Sequence, residues 1–103
     1  MRIYKEEIFG PVLSVVRAHD YNEALALPSE HDYGNGVAIF TRDGGVARRF
    51  QFDVQAGMVG INRGVVSDPA APFGGVKQSG LGREGGHDGL LEYTETKYIA
   101  VEW

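Results

Sequence analysis

Three short apolar runs, separated by two stretches of helical periodicity, leave the first 62 residues few ways to fold. Residues 12 to 17 (VLSVVR) are apolar and β-branched, bounded by Gly10-Pro11 and by His19-Asp20, which is the pattern of a buried strand. Asp20 stands three residues before Glu23, an aspartate form of the capping box, and Ala24, Leu25 and Leu27 supply an apolar face. A short helix is expected there, stopped near Pro28. Gly34-Asn35-Gly36 is turn chemistry, and Val37 to Thr41 is a second strand run. Asp43 can cap the next helix, where Val46, Ala47, Phe50 and Val54 recur at helical spacing while Arg48, Arg49, Gln51 and Asp53 face water; Gly57 ends it. Met58 to Ile61 makes a third strand. This alternation, with short connections, predicts an α/β chain: two right-handed βαβ crossovers, a βαβαβ parallel-sheet fragment.

Beyond Asn62 the periodicity gives way to about 20 residues of Pro- and Gly-rich loop, long enough to suggest function or a wrong element assignment. Glycine is 15 of 103 residues, about twice the usual share of roughly 7%, and seven fall between Gly74 and Gly89. Such density without Ser or Pro repeats points to tight turns and close backbone approach rather than a flexible linker. Residues 84 to 93 predict a Gly-weakened short helix. Lys97 to Trp103 alternates as a terminal strand, with Tyr98, Ala100 and Glu102 on one face and Ile99, Val101 and Trp103 on the other. Nothing nearby can pair with it as a hairpin, so it is expected to add to another sheet or another subunit.

Several function classes drop out. Ten Lys and Arg against fourteen Asp and Glu give a net charge of −4 with no basic cluster beyond Arg48-Arg49, so nucleic acid is not an expected partner. No apolar run approaches the roughly 20 residues that cross a bilayer, and residues 1 to 12 carry no signal-peptide pattern, so no membrane partner is expected and a cytoplasmic location is. There is no cysteine, which removes disulfides, zinc-thiolate sites and a thiol nucleophile from this chain.

Gly80-Leu81-Gly82-Arg83-Glu84-Gly85 matches the G-x-G-x-x-G dinucleotide fingerprint. It reads as accidental, because loop, not a strand, runs into the first glycine. His19, His31 and His87 lack metal-ligand spacing and read as ordinary surface or loop histidines. Ser67-Asp68 with His87 has no nucleophile-elbow pattern around the serine. Glu6-Glu7-Ile8-Phe9-Gly10-Pro11-Val12 differs in kind: a carboxylate and an aromatic two positions apart on extended backbone, locked by Gly-Pro, would point to one side and suit a ribose hydroxyl pair beside a flat ring. Taken alone, it reads more readily as a polar strand entrance with Phe9 in the core.

That segment resembles the signature with which aldehyde dehydrogenases hold the nicotinamide end of NAD or NADP. Tyr33-Gly34 leading into Val37 to Thr41, then Gly57 to Asn62, then Pro72-Phe73-Gly74-Gly75-Val76-Lys77-Gln78-Ser79-Gly80-Leu81-Gly82-Arg83-Glu84, are similar to later blocks of the same family in the same order. The similarity covers essentially this whole chain and about the last fifth of a family member. It implies that Glu7 binds the nicotinamide ribose hydroxyls, that Phe9 contacts the nicotinamide ring and that Phe73 lines the substrate tunnel. It also implies that residues 1–93 are the C-terminal part of the catalytic and cofactor region, and that residues 94–103 are the strand through which subunits form a homo-oligomer.

Asn62 to Gly75 is most similar to succinate-semialdehyde dehydrogenases, in which a serine at the place of Ser67 binds the distal carboxylate of the substrate. A hydrogen bond to a charged group is worth about 1.5 to 3 kcal/mol, roughly 10- to 100-fold in preference, so cationic partners are also needed; the family's own lie upstream, and the part of Arg63 stays open. Tyr33 to Thr41 and Tyr93-Thr94-Glu95-Thr96-Lys97 also resemble methylmalonate-semialdehyde dehydrogenases, the alternative substrate class. The family's cysteine nucleophile and general-base glutamate precede the Glu6–Val12 block, so no catalytic residue is expected here and the isolated chain is expected to be inactive. Met1 falls where family members often have an internal methionine, which suggests a truncated frame or a partial gene. A second hypothesis, from another class, is a non-catalytic module that docks on full-length subunits.

Overall fold

The computed structural model describes residues 1–103. The chain opens with a single helical turn, α1 (Arg2–Lys5), which buries no residue. Arg2 makes a bidentate contact with Glu6 one turn on, at 2.9 and 3.1 Å, a pairing of the kind that supports an exposed helix by a few tenths of a kcal/mol. Helix α2 (Tyr21–Ser29) starts as expected: the Asp20 side chain accepts from the Glu23 N–H at 2.9 Å. The reciprocal arm of the capping box lands one residue early, with the Glu23 carboxylate accepting from the His19 N–H at 2.6 Å. Pro28 lies inside the final turn rather than ending the helix.

Strand β1 (Tyr33–Gly34) and strand β2 (Gly36–Ile39) follow, separated by Asn35. Helix α3 (Gly44–Asp53) is capped by Asp43, whose carboxylate accepts from the Gly45 and Val46 N–H groups at 2.7 and 3.0 Å. These two bonds, Val46 foremost, hold the Asp43 carboxyl below the usual aspartate range because they favour its charged form. The helix ends on extended Val54, before Gly57, and Phe50, Val54 and Met58 form the buried core. Strand β3 (Met58–Ile61) then pairs in parallel with β2, Gly36 opposite Met58 through Ile39 opposite Ile61. This β2–α3–β3 unit is one βαβ crossover.

The other expected crossover is absent. Residues 12–17 hydrogen-bond to no strand and are exposed throughout, although Ser14 and Val16 line a groove shared with Tyr33 and Val37. An apolar β-branched run needs a ladder partner to become a strand, and this chain offers it none. Lys97 to Trp103 is likewise unpaired and exposed. In place of a five-element sheet there is a second two-stranded pair: β4 (Val76–Lys77) runs antiparallel to β1, with Tyr33 opposite Lys77. The last element is a short helix, α4 (Gly86–Leu91), shorter than the expected 84–93 and preceded by glycines at positive φ.

Gly57 explains how the Gly-rich loop packs on β3. A Cβ there would overlap the Gly74 carbonyl oxygen and lie 2.8 Å from the Gly75 Cα, so only glycine lets these backbones meet. Little else is enclosed. The chain exposes 8728 Å², against roughly 5,700 Å² for a folded monomer of 11.2 kDa. Its radius of gyration is 17.8 Å, where about 13 Å is usual for this length. About 3,000 Å² more surface is open than a self-contained domain leaves, much of it on residues 8–16 and 98–103.

Candidate functional site

Three clefts gather the residues singled out above. Glu7 lines one of about 450 Å³ together with Lys5, Glu6, His31, Asn35 and Ser79. Because Arg2 occupies Glu6, the two adjacent carboxylates are distinguished: Glu6 is paired and Glu7 has no partner within the chain. A free carboxylate accepts hydrogen bonds only, which matches the two donors of a ribose diol.

Phe9 is not beside it. The expected geometry, both side chains on one side of an extended backbone, fails at Phe9, whose φ is +52°. The left-handed turn breaks the two-residue alternation, and the ring stands 91% exposed, outside the Glu7 cleft. It is not in the core either. For a bulky residue φ above zero is an outlier that needs its surroundings to hold it; here Gly10-Pro11 follows at once, with a Val12 N–H to Gly10 O bond of 2.7 Å tightening the turn.

Ser67 and Phe73, six positions apart in the chain, come together. They line one open cleft of about 400 Å³ with Asp68, Pro69, Glu84 and Gly85. Phe73 is held by a two-bond antiparallel bridge to Glu84: Phe73 N–H to Glu84 O at 2.6 Å and Glu84 N–H to Phe73 O at 2.8 Å. The Asp68 carboxylate accepts from the Ala70 N–H at 2.9 Å, which shapes the turn behind the serine, and the Ser67 hydroxyl has no partner within the chain. No cation lines this cleft. Arg63 is folded on its own loop, its Nε donating to the Val65 carbonyl.

The third cleft, about 420 Å³, is lined by Leu81 to Glu84 of the G-x-G-x-x-G match, together with Glu92. The Glu92 carboxylate sits over Gly82, within 2.9 Å of where a Cβ would be, and accepts from the Arg83 N–H at 3.1 Å. Arg83 Nη1 donates to Gly75 O and Gly82 O, both at 2.7 Å. Gly82 makes room for protein, and the Glu92 carboxylate that fills the space would repel an anion.

Two anchors went unnoticed in the sequence. Asn62, with φ +53°, closes the β2–β3 pair: its Oδ1 accepts from the Thr41 N–H at 2.8 Å and its Nδ2 donates to Thr41 O at 3.0 Å. The carboxamide thus imitates one more rung of the ladder where the Ser67 loop departs. Lys77, with φ +57°, sends its Nζ to the Ser29 and His31 carbonyl oxygens. Only their places, at a strand end and within the glycine cluster, hint at these roles.

Residues 1–99 match the aldehyde dehydrogenase family. The chain is 46% identical over 99 residues to a succinate-semialdehyde dehydrogenase of Paenarthrobacter nicotinovorans, covering 96% of this chain and 22% of that protein. It is 49% identical over 106 residues to a malonate-semialdehyde dehydrogenase of Pseudomonas aeruginosa, covering 100% and 21%. A candidate methylmalonate-semialdehyde dehydrogenase of Sinorhizobium meliloti, solved with NAD, superposes with a TM-score of 0.89 at 52% identity, covering 100% of this chain and 22% of that one. The chain therefore spans about a fifth of the length of the proteins it matches.

Proposed function

The chain belongs to the aldehyde dehydrogenase family, and from that premise we propose that it is the cofactor-clamping, substrate-gating and subunit-joining part of an enzyme using NAD or NADP. The reaction is oxidation of a short carboxylated semialdehyde to the acid, with succinate semialdehyde favoured. The observation that carries the reading is the free Glu7 carboxylate in the wall of an open cleft, next to a glutamate that is already paired. Glu7 accepts from the nicotinamide ribose hydroxyls, and Phe9 offers its exposed ring to the nicotinamide once the rest of the enzyme surrounds it. The cofactor, when bound, supplies the hydride acceptor.

Ser67 donates to the distal carboxylate of the substrate, and the Phe73 side chain forms an apolar wall of the same cleft. Asp68 and Glu84 also line that cleft and oppose an anion, so the cations that hold the substrate come from other parts of the enzyme. Ser67 then discriminates among substrates and does not supply the charge. Residues 1–93 belong to the catalytic and cofactor region of a cytoplasmic enzyme, and residues 94–103, apolar and unpaired, join subunits by strand addition. The 103 residues contain no cysteine to attack an aldehyde and are inactive alone.

The methylmalonate-semialdehyde reading is favoured by the 52% identity to the Sinorhizobium meliloti protein over the whole chain. The docking-module reading is favoured by the unpaired terminal strand in a chain without a nucleophile. A full-length subunit carrying these residues separates the first two: Ser67→Ala should lower kcat/KM for succinate semialdehyde by about tenfold, the low end for a hydrogen bond to charge, and spare an uncharged aldehyde of equal length. Equal loss with both substrates removes Ser67 from the specificity argument.

A further inference from the structure

We propose that neutral His31 is the positioning residue that docks the Glu7-bearing arm on the rest of the chain, and that its protonation releases the arm. The contact between His31 Nε2 and the Tyr4 carbonyl oxygen, 3.3 Å, is the only hydrogen bond joining residues 1–9 to anything beyond them. Helix α1 buries none of its own residues, so it has little else to hold it in place. The Tyr4 ring meets the imidazole edge-on at 5.9 Å, and the Tyr33 ring lies 5.7 Å away on the other side.

The protonation state follows from the partners. His31 Nδ1 accepts from the Tyr33 N–H at 3.2 Å, so the ring proton sits on Nε2 and donates to Tyr4 O. A second proton would go to Nδ1, where the Tyr33 N–H already points; two donors then face each other and the ring must turn away from Tyr4. The charged groups around it are Lys5 on α1, Glu6 and Glu7 on the arm, Glu30 and Asp32 in its own turn, and Lys77 on β4. None of them bonds to a ring nitrogen. At its other end the His31 carbonyl accepts from Lys77 Nζ at 2.9 Å, so one residue is bonded to both the Glu7 arm and the strand that follows Phe73. That docking presents Glu7 to a nucleotide rests on the proposed function above; the docking itself does not.

The test is amide NMR of the 103-residue chain without nucleotide, from pH 8 to pH 5, following Tyr4 to Glu7, with Phe50 and Met58 as the reference for an intact core. The docked population should fall roughly fivefold or more, the worth of one hydrogen bond, in step with the His31 ring signals. His31→Gln, whose amide offers a donor and an acceptor that do not titrate, should make the arm insensitive to pH; His31→Phe should leave it undocked throughout. Arm signals unchanged across the range, or a transition that survives in His31→Gln, would overturn the proposal. So would a chain without dispersed core signals at pH 8, since docking is claimed for these residues themselves. Failure here leaves the Glu7 ribose reading intact, because no nucleotide is present in the measurement.

Discussion

Asn62 offers the sharpest test of how the Ser67 loop is launched. Two terms can be separated there. The carboxamide makes two hydrogen bonds to Thr41, at 2.8 and 3.0 Å, each worth about 0.5 to 1 kcal/mol at an exposed site. The backbone sits at φ +53°, which asparagine and glycine tolerate but which costs alanine about 1 to 2 kcal/mol. Asn62→Gly therefore loses the bonds alone, about 1 to 2 kcal/mol, and Asn62→Ala loses both terms, about 2 to 4 kcal/mol. With an m-value of about 1.5 kcal/mol per molar, the urea midpoint should fall by roughly 1 M for glycine and by roughly 2 M for alanine. Circular dichroism of the chain in a fixed concentration of trimethylamine N-oxide, which strengthens burial, gives the folded baseline so open a chain needs. Equal midpoints for the glycine and alanine variants would refute the backbone term. A glycine variant as stable as the native chain would refute the side-chain term.

The Asp43 cap predicts a pH dependence whose sign is set by its lowered pKa. The carboxylate's contribution is complete above the ordinary aspartate value of about 3.9 and is lost as pH falls below it through the lower folded value. Helicity of α3, read by hydrogen exchange at Val46 and Ala47, should therefore hold from pH 8 to 5 and fall only in strong acid, with Asp43→Asn flattening the decline. Aldehyde oxidation by the isolated chain should be undetectable with NAD or NADP; turnover that a substitution in residues 1–103 abolishes, in a preparation free of host dehydrogenase, would contradict this. Co-expression with a complete dehydrogenase tests the docking module by size exclusion, and failure to co-elute counts against it.

What could be read from the sequence was local chemistry. Asp20 and Asp43 cap their helices because the donors they need lie within three residues. The β2–α3–β3 unit is legible because both strands and the helix packed on them are continuous in sequence. Strand formation at 12–17 and 97–103 was not legible, because a strand depends on a partner and the pattern of side chains records only its readiness to pair. The β1–β4 pair joins Tyr33 to Lys77 across the glycine-rich loop, with no periodicity in either two-residue strand to announce it. At the site, Ser67 and Phe73 line one cleft because the Phe73–Glu84 bridge folds the loop back on itself. The common orientation of Glu7 and Phe9 did not, since it assumed extended backbone and one left-handed residue reverses it. The glycine fingerprint reads as accidental for want of a preceding strand, whereas the carboxylate lodged over Gly82 is a tertiary feature that no local pattern announces.

The central claim is that Glu7 holds the nicotinamide ribose. Calorimetric titration of a full-length subunit carrying these residues, with NAD and separately with ADP, isolates that half of the cofactor, because ADP lacks the second ribose. The account predicts that Glu7→Gln weakens NAD by about tenfold or more, the loss of charge-assisted hydrogen bonds, and leaves ADP unchanged. Unaltered NAD affinity, or an equal loss for both ligands, would contradict it.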